Sequence, residues 1–223
     1  MKFLGLDNVI CLSPHPDDTE YSMGGTILKH YDTKFYIFIM SKGGAPGFDP
    51  SNEEFDRREE VNNFWREIGA QNVNVIYSNR DYLENRSEPG WINYIENLFF
   101  TEPGINQIDF MGEPARCLMI PPREDSQFEH QFVNKLGYGL IRCLPITLIE
   151  YQTVSTLNAW NSNLNIDITN EYSRKIDALK MFISQINKSI FTDTTLQAFH
   201  YDYKLNRRGI KYSEKFKILE CFK

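Results

Sequence analysis

The 223-residue chain predicts an α/β fold: a Rossmann-like, doubly wound, mainly parallel sheet with helices on both faces, a three-layer sandwich formed by a single domain over residues 1–223. Three observations predict it. Short apolar runs, among them Val9-Ile10-Cys11-Leu12 and the aromatic and β-branched stretch 34–40, are continuous rather than alternating, as strands covered on both faces must be. Segments of helical spacing separate these runs, and the order strand, helix, strand, helix, strand calls for right-handed crossovers. Polar stretches rich in ionisable groups follow directly on apolar strands, where open α/β sheets keep their sites.

The first strand, 9–12, stops abruptly at Ser13-Pro14. Residues 20–31 read as a helix behind Gly24-Gly25, a pair that lets the segment pack closely against the strand; Ile27 and Leu28 face inward and His30 is expected at the surface. The second strand is 34–40, and the Gly- and Pro-rich loop 41–50 forms a natural wall at the same sheet edge. Ser51-Asn52-Glu53-Glu54 is a capping-box pattern that opens a helix through Phe55, Val61, Phe64, Trp65 and Ile68, closed by Gly69. Residues 73–77 form a third strand, 91–100 a helix, and 105–110 and 117–120 further sheet. The polar segment 121–130 opens a helix through Phe132, Leu136 and Leu140, and 146–151 is a late strand. Residues 169–187 predict one capped amphipathic helix with Ile176, Leu179, Ile183 and Ile186 on a single face.

Hydrophobic residues at 41% and aromatics at 14% support a packed core and argue against disorder. The net charge of −6 disfavours a nucleic-acid or anionic-membrane surface. The four cysteines lack C-x-x-C spacing and read as free structural thiols in a reducing compartment. Nowhere do about 18 uncharged apolar residues run together. The expectation is a soluble, cytoplasmic protein with no membrane span; self-association as a homo-oligomer is left open.

The stretch His15-Pro16-Asp17-Asp18 carries the chemistry. His15 and Asp18 are a nitrogen and a hard-oxygen ligand of the kind Zn²⁺ accepts, with Asp17 left beside them to handle protons. The plainer alternative is a turn in which an aspartate caps the following helix. Of four histidines, His15 and His130 sit in polar stretches immediately after predicted strands. Three ligands and an open position mark a catalytic rather than a structural zinc, and His15, Asp18 and His130 make such a set.

These residues resemble the PIG-L/LmbE-like zinc-dependent N-deacetylases, which include the de-N-acetylases of glucosaminyl conjugates in low-molecular-weight thiol biosynthesis. The family's HPDD-x-E-x-x-x-GG motif is matched by residues 15–25, its Arg-x-x-Glu helix motif by Arg57 to Glu60, and its second metal motif, His-x-Asp-His, by Gln127-Phe128-Glu129-His130. Ser184-Gln185, Arg208-Gly209 and Glu214-Lys215-Phe216 match weaker motifs in the family's order. The resemblance implies Zn²⁺ held by His15, Asp18 and His130, with Asp17 as general base. Gln127 stands where the family has a histidine that helps the oxyanion, and Glu129 replaces the orienting aspartate.

The implied activity is hydrolysis of the N-acetyl group of an amino sugar conjugate, a small-molecule substrate. The ligand types admit Fe²⁺ as well. Removal of another N-acyl group, or metal and sugar binding without turnover, are the alternatives. Arg57 is a candidate for gripping a sugar hydroxyl or phosphate, or else pairs with Glu60 or Glu53. Asp81 reads sugar hydroxyls or is an ordinary turn residue, and Tyr212 lines the site or packs in the core. Trp160 is a weaker candidate for stacking on a sugar. His200, amid aromatics, is expected to be a packed or a surface histidine rather than a ligand, and the basic cluster Lys204, Arg207, Arg208 and Lys211 to be a solvated face rather than a site for a nucleotide or lipid phosphate on the substrate.

Overall fold

A computed structural model describes residues 1–41, 57–78, 87–99, 115–141, 146–206 and 208–220. In chain order these form β1 (Asn8–Ser13), α1 (Asp18–Lys29), β2 (Lys34–Ile39), α2 (Arg58–Ile68), β3 (Val73–Tyr77), α3 (Glu88–Phe99), β4 (Cys117–Ile120), α4 (Phe128–Ile141), β5 (Thr147–Tyr151), β6 (Leu164–Asp167), α5 (Tyr172–Leu179), α6 (Asp193–His200), α7 (Tyr203–Asn206) and β7 (Ser213–Glu220). The strands make one seven-stranded sheet in the order β3-β2-β1-β4-β5-β7-β6. The first five run parallel, and β7 lies antiparallel between β5 and β6.

The unbroken apolar run of β1 has its reason in the layers around it. Val9 and Cys11 enter a core with Tyr21, Met23 and Ile27 of α1, Val61 and Phe64 of α2 and Leu179 of α5. Ile10 and Leu12 point to the opposite face, among Trp91 and Ile95 of α3 and Phe132 and Leu136 of α4. Side chains still alternate along the strand, but both faces are dry. The α/β three-layer architecture is thus the one the sequence predicts, and no helix among the described residues is long and apolar enough to cross a membrane.

The winding places the site. From β1 the chain moves outward to β2 and β3, then returns to β4 on the other side of β1, where Ile10 pairs with Leu118 and Cys11 with Met119. That reversal opens a crevice at the carboxyl ends of β1 and β4. The polar segments after these two strands therefore meet, although they are far apart in sequence.

Several local expectations are corrected. Gly69 does close α2, at φ 69° with its N–H on the Arg66 carbonyl at 3.1 Å. The Gly24-Gly25 pair, however, faces α2 and β7 rather than β1: a Cβ on Gly24 would lie 2.8 Å from Phe64 Cζ, and one on Gly25 3.0 Å from Ile168 and 3.1 Å from Glu214 Oε1. His30 is buried, with Nδ1 2.8 Å from the Thr26 carbonyl and its ring edge-on to Phe3 at 5.4 Å. Amphipathic spacing does not foresee that the N-terminal segment folds over this end of α1.

The helix expected over 169–187 stops at Leu179. Beyond it Phe182 turns into the core while Ile183 and Ile186 stay exposed. A tertiary partner ends the helix: Ser184 gives both its N–H and its hydroxyl to the Glu60 carboxylate, each at 2.7 Å. The antiparallel strands β6 and β7 are not among the predicted elements, although Phe216 and Ile218 alternate with lysines in β7. Residues 42–56, Asp81, the strand expected at 105–110, Cys143, Arg207 and Cys221 lie outside the described residues.

Candidate metal centre

β1 ends at Ser13, whose hydroxyl donates to the His15 carbonyl at 2.8 Å. The His15 N–H donates to Asp18 Oδ2 at 2.9 Å, and the Asp17 N–H to the His15 carbonyl at 3.1 Å. Asp18 opens α1, where the helix N-terminus favours a negative charge. Asp17 takes φ +154°, a backbone region sparsely populated for residues with a Cβ and concentrated at functional sites. Its carboxylate makes no capping bond to α1. It pairs instead with Arg57 Nη2 at 2.8 Å, so this turn is not a mere helix cap.

From the other half of the chain, α4 delivers His130. His15 Nδ1 lies 3.1 Å from Asp18 Oδ2, His130 Nε2 lies 3.3 Å from the same oxygen, and the two imidazole nitrogens are 3.3 Å apart. Ligand bonds of about 2.0–2.2 Å in tetrahedral geometry put donor atoms about 3.3–3.6 Å apart. The three edges lie close to that range, so the donors already outline one face of a tetrahedron around a small divalent ion. Two nitrogens and a carboxylate oxygen suit Zn²⁺ or Fe²⁺. The ligand set is closed on one side and open on the other: the His130 side chain is fully buried, whereas that of His15 keeps 21% of its surface and that of Asp17 14%.

Behind His130 stands a carboxylate that sequence reasoning did not single out. Asp125, itself fully buried, meets His130 Nδ1 at 3.0 Å. Asp125 Oδ1 accepts from the Gln127 N–H at 2.8 Å and the Ser155 hydroxyl at 2.7 Å, while Oδ2 accepts from Thr153. A carboxylate on the far nitrogen of a ligating histidine fixes the tautomer and the ring orientation. It leaves the Nε2 lone pair facing His15 and Asp18. The sequence does hold a signal, an aspartate at the end of a strand-to-helix loop five residues before the histidine. Thr153 and Ser155, which secure that aspartate from the loop after β5, carry none.

The orienting partner expected of Glu129 is therefore Asp125. Glu129 is half-buried in the first turn of α4. Gln127, expected to face an oxyanion, directs its side-chain amide to Ser155 Oγ at 3.2 Å, and that hydroxyl is 3.4 Å from His130 Nδ1. This is the edge of the imidazole opposite the metal-facing Nε2, so Gln127 supports the Asp125 cluster. Arg57 is buried and engaged with Asp17, the Pro16 carbonyl and Glu60.

Tyr212 stacks on Tyr172 at 3.6 Å, and its backbone N–H meets the Thr169 hydroxyl at 3.2 Å, contacts that tie it to the start of α5. Trp160 is buried and donates to Glu150 at 2.8 Å rather than presenting an open ring. Of the two positions expected for His200 the structure shows the packed one, against Lys175 at 2.7 Å and the Leu196 carbonyl at 2.7 Å.

The charges agree with this geometry. Burial disfavours the Asp18 carboxylate, but His130 and His15 outweigh it and hold the acid well below the usual range. Burial likewise opposes charge on His130, yet Asp18 and Asp125 raise its pKa to about 10. Without an ion the pocket thus keeps a proton that a metal must displace. For Asp17, burial raises the pKa and Arg57 offsets this only in part, which makes it a stronger base than a free carboxylate. Glu20, one turn on, is pushed up to about 8 by burial, even though Trp65 donates to it at 2.8 Å.

No family model matches the chain, and none of the curated proteins matches it. Solved structures do. N,N'-diacetylchitobiose deacetylase from Pyrococcus horikoshii, complexed with its inhibitor, superposes with a TM-score of 0.71 at 21% identity, over 97% of this chain and 85% of that one. The zinc-inhibited form of teicoplanin deacetylase Orf2 gives 0.68 at 13% identity, over 95% and 97%. 4-Carboxy-2-hydroxymuconate hydratase from Pseudomonas putida gives 0.66 at 13% identity, over 96% and 97%. The chain has the fold these proteins share. Since deacetylases and a hydratase both use that fold, the reaction must be argued from the site. Fold and site together define an α/β protein with three donor groups, His15, Asp18 and His130, that could hold a metal ion at the switch point of its sheet.

Proposed function

We propose that the chain is a zinc-dependent N-deacetylase of the PIG-L/LmbE-like type, hydrolysing the N-acetyl amide of an amino sugar conjugate. The observation that carries this reading is the open triad His15, Asp18 and His130 with a non-ligating carboxylate, Asp17, directly beside it. Structures of the same fold named as deacetylases of diacetylchitobiose and teicoplanin support the substrate class.

His15 Nδ1, Asp18 Oδ2 and His130 Nε2 would hold the ion. When bound, it polarises a carbonyl and lowers the pKa of water. Asp17 takes the proton of the attacking water as the acetyl carbon is attacked. It then delivers that proton to the amide nitrogen as the C–N bond breaks, and acetate and a free amine leave. Asp125 holds His130 in the ligating tautomer.

The test is acetate release from N,N'-diacetylchitobiose and from a panel of N-acyl amino sugars by the zinc-loaded protein, with detection of the new amine. Asp17→Asn should retain stoichiometric zinc and lose about 10²–10⁴-fold in kcat. Full activity in a zinc-loaded Asp17→Asn protein would refute the assignment.

A further inference from the structure

Three motifs of the sequence converge at a place the mechanism does not yet use. Arg57, just before α2, sends Nη2 to Asp17 Oδ2 at 2.8 Å and to the Pro16 carbonyl. Its Nε lies 3.5 Å from Glu60 Oε2, one helical turn on. Glu60 in turn receives the Ser184 N–H on Oε1 and the Ser184 hydroxyl on Oε2, each at 2.7 Å, and Gln185 Nε2 donates to Ser184 Oγ at 2.9 Å. Gln185 donates to Ser184 and Ser184 donates to Glu60, while the Arg57 guanidinium pairs with both carboxylates, with Asp17 at 2.8 Å and with Glu60 by a longer charge contact at 3.5 Å.

We propose that Arg57 is a positioning residue: with Glu60 and the Ser184 turn it forms a buried brace that sets the Asp17 carboxylate beside the metal triad. Three features carry the inference. Arg57 is only 5% exposed and Glu60 3%, so little of either is left for a ligand. The guanidinium binds Asp17 and the carbonyl just before it, clamping a residue whose φ of +154° needs such support. The brace also explains why the predicted helix breaks after α5, since Ser184 can meet Glu60 only if the chain leaves the helix there.

The role attached to Asp17 rests on the deacetylase reading; the brace itself does not. The experiment therefore has two arms on zinc-loaded wild type, Arg57→Lys, Glu60→Gln and Ser184→Ala. Crystal structures read whether Asp17 keeps its place, and kinetics with an N-acetyl sugar read kcat and KM separately. Asp17 should shift in Glu60→Gln and in Arg57→Lys, and kcat should fall by up to about 100-fold while KM and zinc stoichiometry hold. Ser184→Ala should do the same more weakly. Two results would overturn the proposal: an unmoved Asp17 in Glu60→Gln, or a rise in KM at constant kcat in Arg57→Lys, which is the signature of a substrate grip. If wild type hydrolyses no N-acetyl sugar, the deacetylase reading fails, and the position of Asp17 still decides the brace.

Discussion

Replacing Asp125 by asparagine tests how the metal site is held from behind. The carboxylate accepts four donors: the Gln127 N–H and the Ser155 hydroxyl on Oδ1, His130 Nδ1 and Thr153 on Oδ2. An amide keeps only one oxygen. The backbone N–H of Gln127 cannot rotate away, so that oxygen stays with it, and the new NH₂ faces His130. The imidazole must then accept on Nδ1 and carry its proton on Nε2, the atom that lies 3.3 Å from both His15 and Asp18. A protonated nitrogen cannot ligate.

The loss is one charge-assisted hydrogen bond plus the cost of the wrong tautomer, about 1.5–3 kcal/mol, which corresponds to zinc binding roughly 10–100-fold weaker. Competition against a chromophoric chelator at neutral pH measures it, and the Tm of the metal-free protein controls for folding. Ser155→Ala removes one hydroxyl but leaves His130 its partner, so it should cost about 1 kcal/mol or less. If Asp125→Asn folds and binds zinc as tightly as the wild type, the tautomer argument is wrong.

Further outcomes follow from the buried charges. Lys175 donates at once to Glu214, His200 and the Tyr21 carbonyl, and Glu214 accepts the N–H groups of Gly25 and Thr26, so this ion pair is inserted into α1. Lys175→Met strands the Glu214 carboxylate and should cost about 3–5 kcal/mol in urea unfolding; adding Glu214→Gln should cost less than the sum of the single changes. His200 is pushed well below its ordinary pKa by burial, then by Lys175. The unfolded chain protonates this residue below pH about 6.5 while the folded chain does not, so its contribution to stability is lost as pH falls through that value. His200→Gln should therefore narrow its stability gap to the wild type by up to about 1.4 kcal/mol per pH unit below 6.5; a gap independent of pH would contradict a neutral His200. Loading zinc should raise the Tm of the wild type but not of His130→Ala, as read by differential scanning calorimetry.

The legibility of the chain varies with the range of the interactions involved. The parallel strands could be read because burial on both faces demands uninterrupted apolar runs, as in Val9 to Leu12. The helix end at Gly69 also follows from local chemistry. The single helix expected over 169–187 failed because its pattern is sound up to Leu179, after which Glu60, more than a hundred residues away, competes for the Ser184 N–H. His30 was misplaced for a similar reason, since Phe3 covers a helix end that looks polar in sequence.

The candidate site divides in the same way. The residue types in His15-Pro16-Asp17-Asp18 and His130 announce nitrogen and oxygen donors beside a spare carboxylate, and their place after apolar strands puts them at one sheet edge. Sequence alone thus determined which atoms are available for an ion and which layer architecture carries them. Tertiary structure decided who assists them: Asp125 rather than Glu129 behind His130, Gln127 on the far edge of that ring, and Arg57 against Asp17. Ligand type is a property of a side chain and can be read residue by residue. Orientation is set by contacts between β1, β4 and the loops after β4 and β5, and those exist only once the sheet has closed around its switch point.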